Sequence, residues 1–221
     1  MAAKKKITRK ELKEDHFMDG VNTSVEYIKA HSKQAMLIVG GVIVVGLLVW
    51  LYIYYQNSQE EAASEAFGNA NIAFNRNQFQ SATKAFEEVI TRYGGTSSGA
   101  KSTYFLAYTF YQMNQYDSSA HYFQHYLDKY SDPDLTYGAK SGLAACAEQT
   151  GDFTKAAELY WKLVKDEPDH FSTPRTIMAA ARCYRNAGNA QGAKDAYQLL
   201  IDKYSDSNFV SEAKRRLAEL G

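Results

Sequence analysis

Asp117, His121 and His125 follow one another at four-residue intervals, so on a helix they share one face. Two histidines spaced this way are able to hold a transition metal between them. The sequence places no third strong ligand beside them, and the face they occupy should point outward, so it is read as a solvated surface and no metal is expected. The second chemically capable pair is Cys146 and Cys183, the only two cysteines, 37 residues apart. A disulfide needs Cα atoms within about 7 Å, whereas equivalent positions in adjacent packed elements lie roughly 8–10 Å apart. The pair is therefore read as two small buried apolar residues, with a redox couple as the lesser reading. The sequence has no phosphate-cradling glycine loop, no HExxH, no CxxC and no nucleophile elbow. An enzyme is not expected, and no cofactor is implied.

What remains is a chain rich in rings. Its 17 tyrosines and 11 phenylalanines, within 45% hydrophobic residues, are enough for a real core; three prolines and 14 glycines argue against a fibrous or disordered chain. The net charge of zero conceals a split. Residues 1–34 hold eight lysines and arginines against five carboxylates, and the remainder is acidic by the same surplus of three. That distribution offers nothing to nucleic acid.

Residues 35–55, AMLIVGGVIVVGLLVWLYIYY, carry no charge over 21 positions. At about 1.5 Å per residue they span roughly 30 Å, the thickness of a bilayer's hydrocarbon. Trp50, Tyr52, Tyr54 and Tyr55 gather at one end, as an aromatic belt would, and Lys29 and Lys33 flank the other. The run is too long, too late and too bulky at its end for a cleaved signal, and no lipobox cysteine is present. A retained single-pass anchor is expected. Eight basic residues precede it and Arg76 alone follows within 21 residues, so residues 1–34 should be a basic cytoplasmic tail and the C-terminal body should lie across the membrane. In the tail, Ile7, Leu12, Phe17, Met18 and Val21 interleave with lysines and could rest on the membrane surface or meet a cytoplasmic partner. Thr23 or Ser24 is a candidate helix cap.

The remaining sequence repeats with a period of 37. Ala82, Ser119, Ala156 and Ala193 form one small column; Ala70, Ala107, Ala144 and Ala181 form another. Phe86, Phe123, Tyr160 and Tyr197 form a large column, followed by Val89, Tyr126, Leu163 and Leu200, then Ile90, Leu127, Val164 and Ile201. Spacings of three and four put the large residues on one helical face. The small columns allow two helices to approach where they cross. Asn77, Asn114, Gly151 and Gly188 recur where the first helix must stop, since both residue types tolerate the left-handed conformation. Phe79, Tyr116 and Phe153 form a further column, which lapses to Ala190. Each unit reads as helix A, tight turn, helix B.

With Ala82 as the small residue of helix B, Ala70 twelve positions earlier, Phe86 as its aromatic and Pro168 closing the third unit, these units resemble tetratricopeptide repeats. The period of 37 exceeds the usual 34, which lengthens the loops between units. The expected fold is all-α: residues 35–55 a transmembrane helix, 56–61 a linker, 62–206 a solenoid of four units (62–98, 99–135, 136–172, 173–206), and 207–221 a capping helix that solvates its open end. The resemblance implies a protein-binding groove on the concave, helix A face. Carried over position by position, that groove would present Phe67, Asn71 and Phe74, then Lys101, Tyr104, Tyr108 and Tyr111, little from the third unit (Ser141, Ala145, Glu148), and finally Met178, Arg182 and Arg185. Such a groove is aromatic at one end and cationic at the other and suits an extended segment with an acidic end. Packing between repeats is the competing role for Tyr104 and Tyr108.

The layout of basic helix, span ending in Trp and aromatics, then Ala-rich first repeat (EYIKAHSKQAMLIVGGVIVVGLLVWLYIYYQNSQEEAASEAFGNA) is similar to the YfgM-type ancillary proteins of the bacterial inner membrane. That resemblance implies repeats in the periplasm and partners among Sec translocon subunits, periplasmic chaperones and exported chains, with no nucleic acid and no small-molecule substrate. The alternative is a cell-envelope assembly adaptor coordinating peptidoglycan or outer-membrane events. An organellar import receptor is disfavoured because it would put the repeats in the cytosol.

Overall fold

The structure is a computed structural model that describes residues 18–26 and 32–220. The basic residues of 1–17, together with Lys29 and the tail's Ile7, Leu12 and Phe17, lie outside the described residues. Contacts divide the chain into two units, 1–57 and 58–221.

In the first unit, residues 18–26 are helical (α1), and Thr23 and Ser24 sit inside that helix rather than capping one. Each hydroxyl donates to the carbonyl one turn back, Asp19 O at 2.7 Å and Gly20 O at 2.8 Å, the usual outlet for a hydroxyl within a helix. Helix α2 runs Ser32–Asn75. It is long and apolar enough over its first half to cross a membrane. Every large apolar side chain from Met36 to Tyr55 is more than half exposed. Residues 56–61, expected as a linker, are part of this helix, and the division between the two units falls within it. No proline or glycine occurs from Leu47 to Phe67 to stop the helix there.

The second unit begins with the end of α2 and continues through α3 (Phe79–Tyr93), α4 (Ser97–Gln112), α5 (Tyr116–Lys129), α6 (Pro133–Gln149), α7 (Phe153–Asp166), α8 (Thr173–Asn186), α9 (Ala190–Lys203) and α10 (Val210–Ala218). No strand occurs among the described residues. From α3 onward each helix packs on the next in sequence, and α4 also packs on α6. Helix A of the four units is thus the end of α2, then α4, α6 and α8; helix B is α3, α5, α7 and α9.

The turns form where the sequence placed them. Asn77 and Asn114 take φ of 59°, and Gly151 and Gly188 take 85° and 78°. Asp152 and Asn189 then cap the B helices α7 and α9 by accepting from Lys155 N (3.1 Å) and Gly192 N (2.9 Å). Thr96 and Asp132 do the same for the A helices α4 and α6, accepting from Gly99 N and Leu135 N. Helix α4 has a second cap: the Glu60 carboxylate accepts from Ser97 N at 2.7 Å, Ser98 N at 3.1 Å and Ser98 Oγ at 2.6 Å.

All eight members of the two small columns, including Ser119, are 0% exposed. Between them lie the large columns, Phe86, Phe123, Tyr160 and Tyr197 being at most 5% exposed. Each such side chain contributes about 1.5–3 kcal/mol relative to exposure in water. The units are also tied across their loops in a way the periodicity did not single out. Tyr130 Oη donates to Gly94 O and Tyr204 Oη donates to Pro168 O, both at 2.8 Å. The two ties lie two full repeats apart, and the second assigns Pro168 a partner.

Candidate protein-binding groove

A cleft of about 700 Å³ opens along the A helices of the second to fourth units. One wall is α4. Tyr104, Tyr108 and Tyr111 lie at i, i+4 and i+7, so they share a face about 10 Å long. Tyr108 stacks on Tyr111 at 6.4 Å and 6°, and Phe74 backs it at 5.7 Å. Tyr104 has its edge against Phe123 (5.6 Å) and Tyr126 (6.0 Å), so it serves both roles weighed for it: it lines the cleft and it packs between repeats. Tyr108, 37% exposed, is the more open of the two.

The floor is α6, and its face is nearly bare: Gly138, Ser141, Gly142 and Ala145. The two glycines are required by their neighbours. A Cβ on Gly138 would stand 2.6 Å from Tyr104 Oη, and one on Gly142 would stand 2.4 Å from the Phe123 ring. These approaches let the rings of α4 and α5 lie on the helix backbone.

The far wall is α8, with Arg175, Met178 and Arg182 at i, i+3 and i+7. Arg182 is not free. Its Nε and Nη2 donate to the two carboxylate oxygens of Glu148 at 2.6 and 2.9 Å, and Tyr160 Oη donates to Glu148 at 3.4 Å. The Glu148 side chain is only 12% exposed, the Arg182 side chain 48%. The carboxylate's hydrogen bonds raise the Arg182 guanidinium above its ordinary value. Burial first, and the Glu148 charge second, push the Tyr160 phenol up and the Cys183 thiol up to about 12. Burial likewise raises Tyr104 and Tyr111. The Tyr104, Tyr111 and Tyr160 phenols are therefore neutral donors at neutral pH, suited to hydrogen bonding and apolar contact.

Of the expected groove residues, Tyr104, Tyr108, Tyr111, Met178 and Arg182 line the cleft. Phe67, Asn71, Phe74, Lys101 and Arg185 do not. Phe67 packs on Phe86 (6.0 Å) and Phe105 (5.5 Å), and Phe74 on Phe105 (6.1 Å) as well as Tyr108. The rings that α4 sends back toward α2 pack on them, so they sit half-buried against the core of the first repeat. Arg185 is half-buried and Lys101 is exposed, both outside the cleft.

Sequence reasoning missed Arg175, Tyr137 and the contributions of Phe209 and Glu212 from the α10 end. Arg175 had a signal: the column that carries Lys101 runs through Gly138 to Arg175 at the same period of 37. Tyr137 is held rigidly. Its ring stacks on His170 at 3.6 Å and 9°, and its hydroxyl shares a 2.7 Å hydrogen bond with Thr176. Among the described residues no three His, Cys, Asp or Glu side chains are grouped as a metal site would need. The two cysteines are free, and Cys146 donates to Ser119 Oγ at 3.3 Å.

No curated protein matches the sequence. Several solved structures share the fold. The nearly identical tetratricopeptide-like repeats of a kinesin light chain candidate from Podosopora anserina match with a TM-score of 0.59 at 17% identity, over 73% of this chain and 86% of theirs. RapI matches at 0.62 and 17% identity over 70% of this chain but only 46% of its own length. YrrB, described as a tetratricopeptide repeat protein with an unusual peptide-binding site, matches at 0.54 and 18% identity over 70% of this chain and 75% of its own. Two families match by sequence: a tetratricopeptide repeat-like domain over residues 27–173 and a tetratricopeptide repeat over residues 176–207. Because the first spans more than half of the sequence, the chain belongs to the tetratricopeptide repeat-like domain family.

Proposed function

We propose that this chain is a membrane-anchored scaffold whose groove holds extended segments of other proteins, working at the Sec translocon with periplasmic chaperones on chains that have just been exported. The observation that carries the protein-binding part is the cleft itself: a tyrosine wall, a bare floor and an arginine-bearing wall, open over about 700 Å³. Tyrosine supplies broad contact area with two torsions to immobilise, and small floor residues let a partner's backbone come close. The peptide-binding site described for YrrB occurs on the same fold.

The anchor is supported by the chemistry of α2. Large apolar side chains along 36–55 are exposed among the described residues, and hydrocarbon would cover them. The family match, over residues 27–173, takes in this stretch. The basic surplus of residues 1–34 favours a cytoplasmic tail and periplasmic repeats. The translocon and its chaperones come from the likeness to YfgM-type proteins. Anchoring raises the local concentration of a weak groove at the exit site, so modest contacts suffice.

The test is in-cell crosslinking from a photoreactive amino acid in place of Tyr108. Adducts with translocon subunits, periplasmic chaperones and a range of exported chains are expected. One dominant adduct with a cell-wall or outer-membrane assembly protein would overturn the translocon reading in favour of a dedicated adaptor. A reporter fused after Gly221 that proved cytoplasmic would overturn the orientation.

A further inference from the structure

Three ionised side chains line the groove, Arg175, Arg182 and Glu212, and two of them are already satisfied within the protein. Arg182 is held bidentately by Glu148, and Glu212 is held by Arg215 and Arg216 of its own helix. Arg175 is exposed and has no ion-pair partner among the described residues. It sits in the first turn of α8, where a cation opposes the helix dipole and so gains the helix nothing. Its surroundings are fixed: Thr176 beside it is bonded to Tyr137, whose ring is stacked on His170. The uncompensated charge of the cleft is thus one guanidinium on a preorganised wall, one helical turn from Met178 and facing the bare floor of α6.

We infer that Arg175, rather than the Arg182 expected from the repeat pattern, is the residue that reads charge in this groove. The occupant is an extended segment of another polypeptide that sets a large apolar side chain on the floor at Ser141 and Ala145 and a side-chain carboxylate against Arg175. The inference rests on the protein-binding reading and specifies its client. Charge complementarity selects the acidic group, since no unpaired carboxylate lines the cleft to favour a basic one. Shape selects the large apolar neighbour, since tyrosines wall a floor of Gly138, Ser141, Gly142 and Ala145, and Tyr137 of the same helix is buried. Arg182 and Glu148 hold α8 to α6 and set the width of the cleft.

The experiment uses the purified full chain in detergent and fluorescein-labelled peptides in a Gly/Ser background, read by fluorescence anisotropy. The probes carry Phe with Asp, Phe with Asn, Phe with Lys, or Gly with Asp. For the unsubstituted chain, Asp over Asn is expected to tighten binding about tenfold, as a charge-assisted bidentate contact does. Arg175→Gln should erase that preference and Arg175→Glu should reverse it toward a Phe–Lys probe, while Lys101→Gln, exposed and outside the cleft, keeps it. Equal binding of the Asp and Asn probes, or a preference that survives Arg175→Gln, overturns the inference. So does a concentration-dependent dimer that Arg175→Gln dissolves, because the occupant would then be a second copy of this chain. If no probe binds while Tyr108 crosslinking still captures exported chains in cells, the charge inference falls and the scaffold reading stands.

Discussion

Helices α4 and α6 occupy equivalent places in consecutive repeats and present opposite surfaces. Where α4 has Tyr104, Tyr108 and Tyr111, α6 has Ser141, Ala145 and Glu148 at the same three positions, and α8 has Met178, Arg182 and Arg185. The backbone course is shared; the side-chain volume is not. A solenoid of uniform repeats would fill or empty its concave face evenly. Here a wall of rings stands beside a helix whose central face is Gly138, Ser141, Gly142 and Ala145, and the step between them is the cleft. The bare helix also holds the wall in place, because Tyr104 rests on Gly138 and Phe123 on Gly142.

The most damaging way to break this contrast is from beneath. Phe123→Ala removes a 2% exposed ring that supports both Tyr104 and the α6 backbone. A loss of about 3–5 kcal/mol is expected from urea unfolding followed by circular dichroism. Gly142→Ala should cost about 1–3 kcal/mol, since the new methyl meets the Phe123 ring and small-to-large changes in a packed site force it to shift. Combining Gly142→Ala with Phe123→Leu should cost less than the two separate losses, and simple additivity would show that ring and glycine are not coupled.

A pH-dependent effect comes from the cysteine that α8 turns inward. The Cys183 thiol titrates near 12 in the folded chain and near 8.5 when unfolded. Between those values the unfolded chain has lost a proton that the folded chain keeps, so stability should fall as pH rises through that window and be unaffected by Cys183 below it. The same burial predicts that alkylation at pH 8.5 waits for unfolding; rapid native-state labelling would contradict it. The smallest change in stability, within about 0.5 kcal/mol, is expected of Ser141→Tyr. That substitution makes α6 resemble α4, fills the cleft and should abolish crosslinking from Tyr108 while leaving the melting curve in place. Retained crosslinking would move the binding site off this floor.

The repeat architecture was legible because small residues at a helix crossing and left-handed residues at a turn are demanded locally. Ala70, Ala107, Ala144 and Ala181 are buried, and Asn77, Asn114, Gly151 and Gly188 have positive φ, where the columns put them. The groove was half legible. The periodicity tells which residues share a position, but what covers a position depends on the neighbouring repeat. Phe67 and Phe74 occupy the same two columns as Tyr104 and Tyr111, yet they lie under Phe105, which the pattern did not assign. Glu148 stands in a column whose helix offers the groove little, and it is the partner that neutralises Arg182. Arg175 shares its column with Lys101, two repeats earlier, but Lys101 lies outside the cleft, so the column alone does not mark a groove position.

From α3 to α10 each helix leans on its successor, and the α4–α6 contact skips a single helix. No stable part of the solenoid therefore waits for a distant strand or terminus. A chain whose contacts are this local closes only short loops as it condenses and belongs among fast folders. Order can start at any hairpin and spread in either direction. The units can organise one after another as they are delivered lengthwise, each new pair of helices finding its template already in place.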